Sequence, residues 1–220
     1  MSDRCVIFDL DGTLIDSSDG VVEATNYALA AFGLPTRTAG EIKPYIGYPL
    51  ERMFADFTDN EYEPLRLKFQ EKAEETVAAS TRPLPYVDDI LGALRADHYR
   101  LAIATTKIRV HIDKILAKCN WTDFFEATVG GDEVASVKPA PDAFELALER
   151  LGADPAATIV VGDTINDVIG AQAAGLPVVA VRSPFGHDGE LDSSGATYLI
   201  DSMADLPGVI RAHFHREDIE

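Results

Sequence analysis

Short apolar runs alternate with longer stretches of mixed character along most of the chain. Runs at 4–8, 101–105, 127–129, 158–162 and 177–181 are dense in Val, Ile and Ala, and a shorter one lies at 198–200. Unbroken apolar runs of this length are what strands buried on both faces look like. Between them, 88–96, 108–118, 141–151, 165–174 and 204–213 read as helices. Strands alternating with helices predict a parallel sheet in an α/β fold, a doubly wound, Rossmann-like core.

Residues 16–83 break the alternation and contain no strand-like run. Val22, Tyr27, Leu29, Ala30 and Phe32 suggest one amphipathic helix, closed by Gly33 and Pro35. Thr38 and Glu41 have capping-box spacing. Leu50, Met53, Phe54 and Phe57 share a helical face, and Leu65, Phe69 and Val77 sit on a long charged helix. A helical domain at 16–83 is thus expected to interrupt a core domain formed by 1–15 and 84–220, with Pro83 and Pro85 marking the return and the tail from His213 frayed.

The chain has 220 residues, 46% of them hydrophobic, enough for one sizeable core with a modest second unit. No apolar run is long enough to span a bilayer, and the run at 4–8 is too short for a signal sequence, so a soluble cytoplasmic protein is expected, with no membrane partner. Cys5 and Cys119 read as reduced, mostly buried thiols. The net charge of −18 and the lack of any Lys/Arg cluster argue against nucleic acid as a ligand. The same charge repels any phosphorylated substrate, so a phosphate-handling site here needs a local cation.

Candidate chemistry lies where the strands end. The first strand delivers Asp9 and Asp11 two residues apart, followed by Gly12, which permits a tight turn. In open α/β sheets ligands bind at the carboxyl ends of strands. Two acids this close repel one another, and a hard dication such as Mg2+ relieves that. A calcium EF-hand is a poor match, because Gly12 stands fourth in the loop rather than sixth and the twelfth position is Gly20. The run at 158–162 is followed by Asp163 and, four residues on, Asp167. Asp163 can add a third acid to a metal site, and Asp167 can hold metal-bound water or orient Lys138; the pair also fits an N-cap and a first-turn acid. Thr105 and Thr106 follow another strand, where a hydroxyl and an amide can meet phosphoryl oxygens. Lys138 precedes Pro139, which disfavours helix there and fixes an ammonium at a loop-to-helix junction.

In order and spacing, Asp9-Leu-Asp11-Gly-Thr, Thr105, Lys138 and Gly162-Asp163-x-x-x-Asp167 resemble the four motifs of the haloacid dehalogenase superfamily. The core match covers 4–15 and about 84–182, 16–83 resembles that superfamily's helical cap, and the whole looks most like its phosphoglycolate phosphatase-like branch. The resemblance implies a phosphatase with Asp9 as nucleophile and Asp11 as proton shuttle. It implies Mg2+ held by the Asp9 carboxylate, the Asp11 backbone carbonyl and Asp163, with Thr105 and Lys138 on the phosphoryl oxygens. Superfamily dehalogenases lack the acid equivalent to Asp11. Related sugar-phosphate mutases carry a histidine near position 21, where this chain has Val21, and relatives often have asparagine where it has Thr106.

The segment 43–52 is similar to a specificity loop of such caps. Gly47 allows close approach, and Lys43 or Arg52 can meet a substrate carboxylate or second phosphate, although each also fits a solvated helix-end charge. The five histidines, His98, His111, His187, His213 and His215, read as surface or tail residues. A small phosphomonoester is the expected substrate, with phosphoglycolate, a sugar phosphate and pyrophosphate all open, as is a monomer or a homodimer. A phosphotransferase or mutase using the same aspartyl-phosphate is the nearest rival; a non-catalytic, metal-binding interaction protein is the rival from another class. Cap hinges are expected near 15–18 and 81–85.

Overall fold

The structure is a computed structural model and describes residues 4–185 and 188–217. Six strands form one parallel sheet in the order β5-β4-β1-β6-β7-β8. They are β1 (Cys5–Phe8), β4 (Arg100–Ala104), β5 (Ala127–Val129), β6 (Thr158–Gly162), β7 (Val178–Val181) and β8 (Tyr198–Ile200). The chain first builds outward from β1 through β4 to β5, then crosses to the other side of β1 for β6, β7 and β8. Strand order therefore reverses between β1 and β6, which is where such sheets open a ligand crevice.

Alternate residues of the strands feed two cores. Val6, Phe8, Leu101, Ile103, Ile159 and Val161 pack on one face, where α5 (Val87–Ala96), α6 (Arg109–Cys119) and α10 (Leu206–Glu217) supply the partners. Cys5, Ile7, Ala102, Ala104 and Val160 pack on the other, against α7 (Asp142–Leu151) and α8 (Ile165–Ala173). With both faces covered, the strands need no polar side, which explains their unbroken apolar sequence. The short α9 (Asp188–Leu191) precedes β8.

Between β1 and the rest of the sheet lie α1 (Ser18–Ala31), α2 (Ala39–Ile42), α3 (Leu50–Phe57) and α4 (Tyr62–Ser80). The Thr38–Glu41 capping box is present, with Thr38 N donating to Glu41 Oε2 at 2.8 Å. Ala28, Leu29, Ile42, Met53, Phe54 and Leu65 form this insert's own small core. A feature that the sequence pattern hides lies at its base. β2 (Ile15–Asp16) pairs antiparallel with β3 (Arg82–Pro83), so a two-stranded ribbon ties the entry of the insert to its exit. Two-residue strands carry too few positions for a readable alternation.

Three other expectations need correcting or limiting. The tail is helical through Glu217, and His213 is buried, with Nδ1 3.3 Å from the Tyr198 hydroxyl. His111 is buried too, whereas His98 and His215 are exposed; His187 lies outside the described residues. Cys5 is buried and Cys119 half-buried, both as free thiols. Among the described residues no helix is long and apolar enough to cross a membrane.

Candidate active site

Asp9 follows the last residue of β1, Thr105 that of β4 and Asp163 that of β6, so three neighbouring strands bring them to one sheet edge. The loop at 131–141, ahead of α7, brings in Lys138. This ammonium is 1% exposed and spends its three donors on Asp9 Oδ1 (2.6 Å), Asp167 Oδ1 (2.5 Å) and the Ala104 carbonyl (3.1 Å). Asp167 serves two masters. Its second oxygen, Oδ2, accepts from Thr164 N (3.0 Å) and Thr164 Oγ1 (2.7 Å), closing a capping box on α8. The N-cap is thus Thr164 and not Asp163, and Asp163 is left free of capping duty.

Oxygen atoms of Asp9, Asp163 and Asp167 lie within 4.8 Å of one another, and all three residues are buried. Asp163 Oδ1 accepts from Thr13 Oγ1 at 3.0 Å. The Ser183 hydroxyl approaches and favours the charged form, yet Asp163 Oδ2 is buried with no hydrogen bond. A Cβ on Gly12, whose φ is +87°, would fall 2.1 Å from that same oxygen, so only glycine lets the loop pass.

Three buried carboxylates face one buried ammonium, and the imbalance shows in the proton affinities of Asp9, Asp163 and Lys138. Burial, reinforced by Asp167 and Asp11 and opposed by Lys138, pushes Asp9 up to about 7. Burial and the charges of Asp9 and Asp167 raise Asp163 well above the usual carboxylate range. Burial works against the Lys138 ammonium, but Asp167 and Asp9 outweigh it and raise its affinity for the proton. An orphaned oxygen beside surplus negative charge, with only oxygen donors around it, fits a hard dication.

The Asp11 carboxylate stands outside the cluster. Its Oδ1 accepts from the Ser17 hydroxyl and its Oδ2 lies 3.1 Å from Lys107 Nζ. The sequence pattern assigns Ser17 and Lys107 no role, and places Thr13 in the first motif without one. Lys107 could have been singled out, since it follows the Thr105-Thr106 pair at a strand end; Ser17, six residues past Asp11, gives no such signal. Thr105 is buried, its N–H donating to the Val129 carbonyl at 3.1 Å.

Asp11, Thr106 and Lys107 form the floor of a cleft of about 400 Å³, whose other wall is the helical insert. Gly47 lines it and passes against the core: with φ +90°, a Cβ there would lie 2.8 Å from Thr164 Cγ2. Tyr48 donates its hydroxyl to Glu190. Arg52 and Lys43, expected to face the site, do not line this cleft. α3 begins at Leu50, which puts Leu50 and Met53 on the cleft side and turns Arg52 away. Arg52 stacks over the Tyr48 ring at 4.3 Å, in a separate groove with Asp56 and Glu190. Lys43 lies in the turn after α2, where its charge helps to lower the Asp16 carboxyl. Val21 does line the cleft.

The comparisons agree with this geometry. The haloacid dehalogenase-like hydrolase family model matches residues 6–181. The chain is 33% identical over 214 residues to "Probable phosphatase IndB" of Dickeya dadantii, with 94% of this chain and 93% of that protein covered. It is 34% identical over 216 residues to a phosphoglycolate phosphatase of Cupriavidus necator, covering 93% and 92%. The crystal structure of a haloacid dehalogenase-like family hydrolase from Streptococcus pneumoniae superposes with a TM-score of 0.85 at 26% identity, covering 94% of this chain and 98% of that one. A family pattern that spans the whole sheet edge, carried by relatives named as phosphatases, leaves one conclusion: this chain belongs to the haloacid dehalogenase-like hydrolases and is a phosphatase.

Proposed function

We propose that the protein hydrolyses a small phosphomonoester in two in-line steps through an aspartyl-phosphate on Asp9, with Mg2+ as cofactor. The observation that carries this reading is the buried Asp9–Asp163–Asp167 cluster with its orphaned Asp163 oxygen beside Lys138. Asp9 and Asp163, with the Asp11 carbonyl, would hold the ion, which when bound supplies positive charge opposite the developing phosphoryl charge. Asp9 attacks phosphorus as the bond to the leaving oxygen breaks, and Asp11 gives that oxygen its proton. Asp11 then takes a proton from the water that cleaves the phosphoaspartate. Lys107 and Ser17 hold the Asp11 carboxylate in place for both turns. Lys138 neutralises Asp9, and Thr105 with the Thr106 amide donates to phosphoryl oxygens.

Residues 16–83 act as a cap that closes over the site, with the β2–β3 ribbon as its hinge, and Gly47 and Thr106 contact the substrate. Phosphoglycolate, named for several relatives, is the first substrate to try. Hydrolysis is favoured over phosphoryl transfer because Val21 lines the cleft where a mutase would present an imidazole. The test is phosphate release from p-nitrophenyl phosphate with Mg2+, with EDTA, and with Asp9→Asn. Asp9→Asn is expected to lower kcat by at least about 10⁴-fold, as loss of a nucleophile does. Near-normal turnover in Asp9→Asn would overturn the assignment.

A further inference from the structure

We infer that the alcohol half of the substrate is a neutral, largely apolar group of about the size of a ring, rather than a short carboxylate. This rests on the phosphatase reading above and specifies its leaving group. The cleft of about 400 Å³ is in the range that encloses whole organic ligands. Facing the floor of Asp11, Thr106 and Lys107, the insert presents Val21, Ile46, Leu50, Met53, Phe69 and Val77.

The charges on the lining point the same way. Among the described residues, Lys107 and Arg66 are its lysine and arginine side chains, and both are committed. Lys107 lies 3.1 Å from Asp11 Oδ2. Arg66 takes Glu63 with two nitrogens, Nε to Oε2 at 2.7 Å, and Gln70 Oε1 with a third at 2.7 Å. The His111 imidazole is 4% exposed, and burial together with Lys107 and Lys114 pushes it down to about 4, so it adds no positive charge near neutrality. Asp11, Glu51 and Asp132 make the lining acidic on balance. A carboxylate on the leaving group would enter apolar surroundings without a counter-charge, which is costly. A neutral group gains from the same surroundings, by about fourfold in kcat/KM for each methylene buried.

The experiment measures kcat/KM for ethyl phosphate, benzyl phosphate, 2-naphthylmethyl phosphate and phosphoglycolate, with Mg2+. All four release primary alkoxides, so differences report on the cleft more than on the leaving-group chemistry. Benzyl phosphate is expected to exceed ethyl phosphate and phosphoglycolate by about tenfold or more. Leu50→Lys, which sets an ammonium on the apolar wall, is expected to shrink the benzyl-to-phosphoglycolate ratio by about tenfold. Val21→Phe, which narrows the cleft without adding charge, should slow the naphthyl ester and spare the ethyl ester. Phosphoglycolate hydrolysed as well as or better than benzyl phosphate overturns this inference and leaves the phosphatase reading intact. No release from any of the four esters overturns both.

Discussion

Two surfaces meet across the cleft, and they are built on different physics. Behind the floor on the sheet side, Asp9, Lys138, Asp167 and Thr164 are buried and bonded to one another at 2.5–3.4 Å, and the buried Asp163 beside them is held by Thr13 at 3.0 Å. On the insert side, aliphatic and aromatic side chains make most of the wall, and polar ones such as Arg66 and Tyr45 bond to residues of the insert itself. Charge at the sheet edge has to be matched closely or it costs several kcal/mol, whereas an apolar wall tolerates exchange of similar volumes at under ~1.5 kcal/mol. The chemistry is therefore expected to be brittle and the substrate preference adjustable.

Lys138→Met tests the brittle side most severely. It leaves three buried carboxylates without their ammonium, and removing one partner of a buried pair costs about 3–5 kcal/mol. We expect kcat to fall by roughly 10³-fold or more, with a clear loss of thermal stability. A conservative change opposite, Met53→Leu, is expected to alter kcat/KM by less than about threefold. Comparable effects from the two variants would erase the distinction between the surfaces.

The second test reads the surplus charge directly. The Asp9 carboxyl is raised from 3.8 to about 7 in the folded protein. Below pH 4 both folded and unfolded chains hold this proton, and the associated stability is fully present. As pH climbs to about 7 the unfolded chain has already released it and the folded one has not, so the metal-free protein loses stability across that window. Asp163, also raised, works in the same direction. Bound Mg2+ should offset this, giving a larger increase in Tm at about pH 8 than at about pH 5. Asp163→Asn should remove activity yet be as stable as the parent in EDTA, or more so by about 1 kcal/mol, since it takes a repelling charge out of the cluster. An equal Mg2+ effect at both pH values, or a marked loss of stability in Asp163→Asn, would mean that the site is not short of positive charge.

The same division governs what could be read from the sequence. The sheet edge was legible because a strand end fixes where the next side chain goes: Asp9, Thr105 and Asp163 each follow an apolar run whose register is set by burial, and β5, β6 and β8 occupy the residues that the runs occupy. Lys138 was legible through its proline neighbour. Contacts that depend on a fold-back were not. Ser17 reaches Asp11 because the chain folds back ahead of β2, with Gly12 N donating to the Ile15 carbonyl at 2.9 Å. His111 looked like a surface residue because its neighbours Val110 and Ile112 do not reveal which side of α6 meets the cleft. On the insert, the helices were visible from their apolar faces, but the direction of Arg52 depended on where α3 starts, and Pro49 moves that start close enough to turn the guanidinium onto Tyr48.

The smallest expected effect concerns a directed bond from the insert to the α9 helix. Tyr48 OH donates to Glu190, 142 residues away in the chain, while the ring carries Arg52 on its face. Burial and the Glu190 carboxylate both raise the phenol above its ordinary 10, so the hydroxyl keeps its proton and stays a donor throughout the working pH range. Tyr48→Phe keeps the ring that Arg52 stacks on and deletes the hydroxyl, with its bond to Glu190 and its contact with Arg52. A hydrogen bond to a charged partner contributes about 1.5–3 kcal/mol when buried, and less here because Glu190 is exposed to water. If the insert works as a closing wall, losing the bond shifts it toward open, and KM should rise by about two- to fourfold while kcat for a generic aryl phosphate holds. If kcat fell by more than about tenfold instead, the tyrosine would be acting on the reacting groups. The insert would then share the chemistry that the sheet edge is here assigned alone.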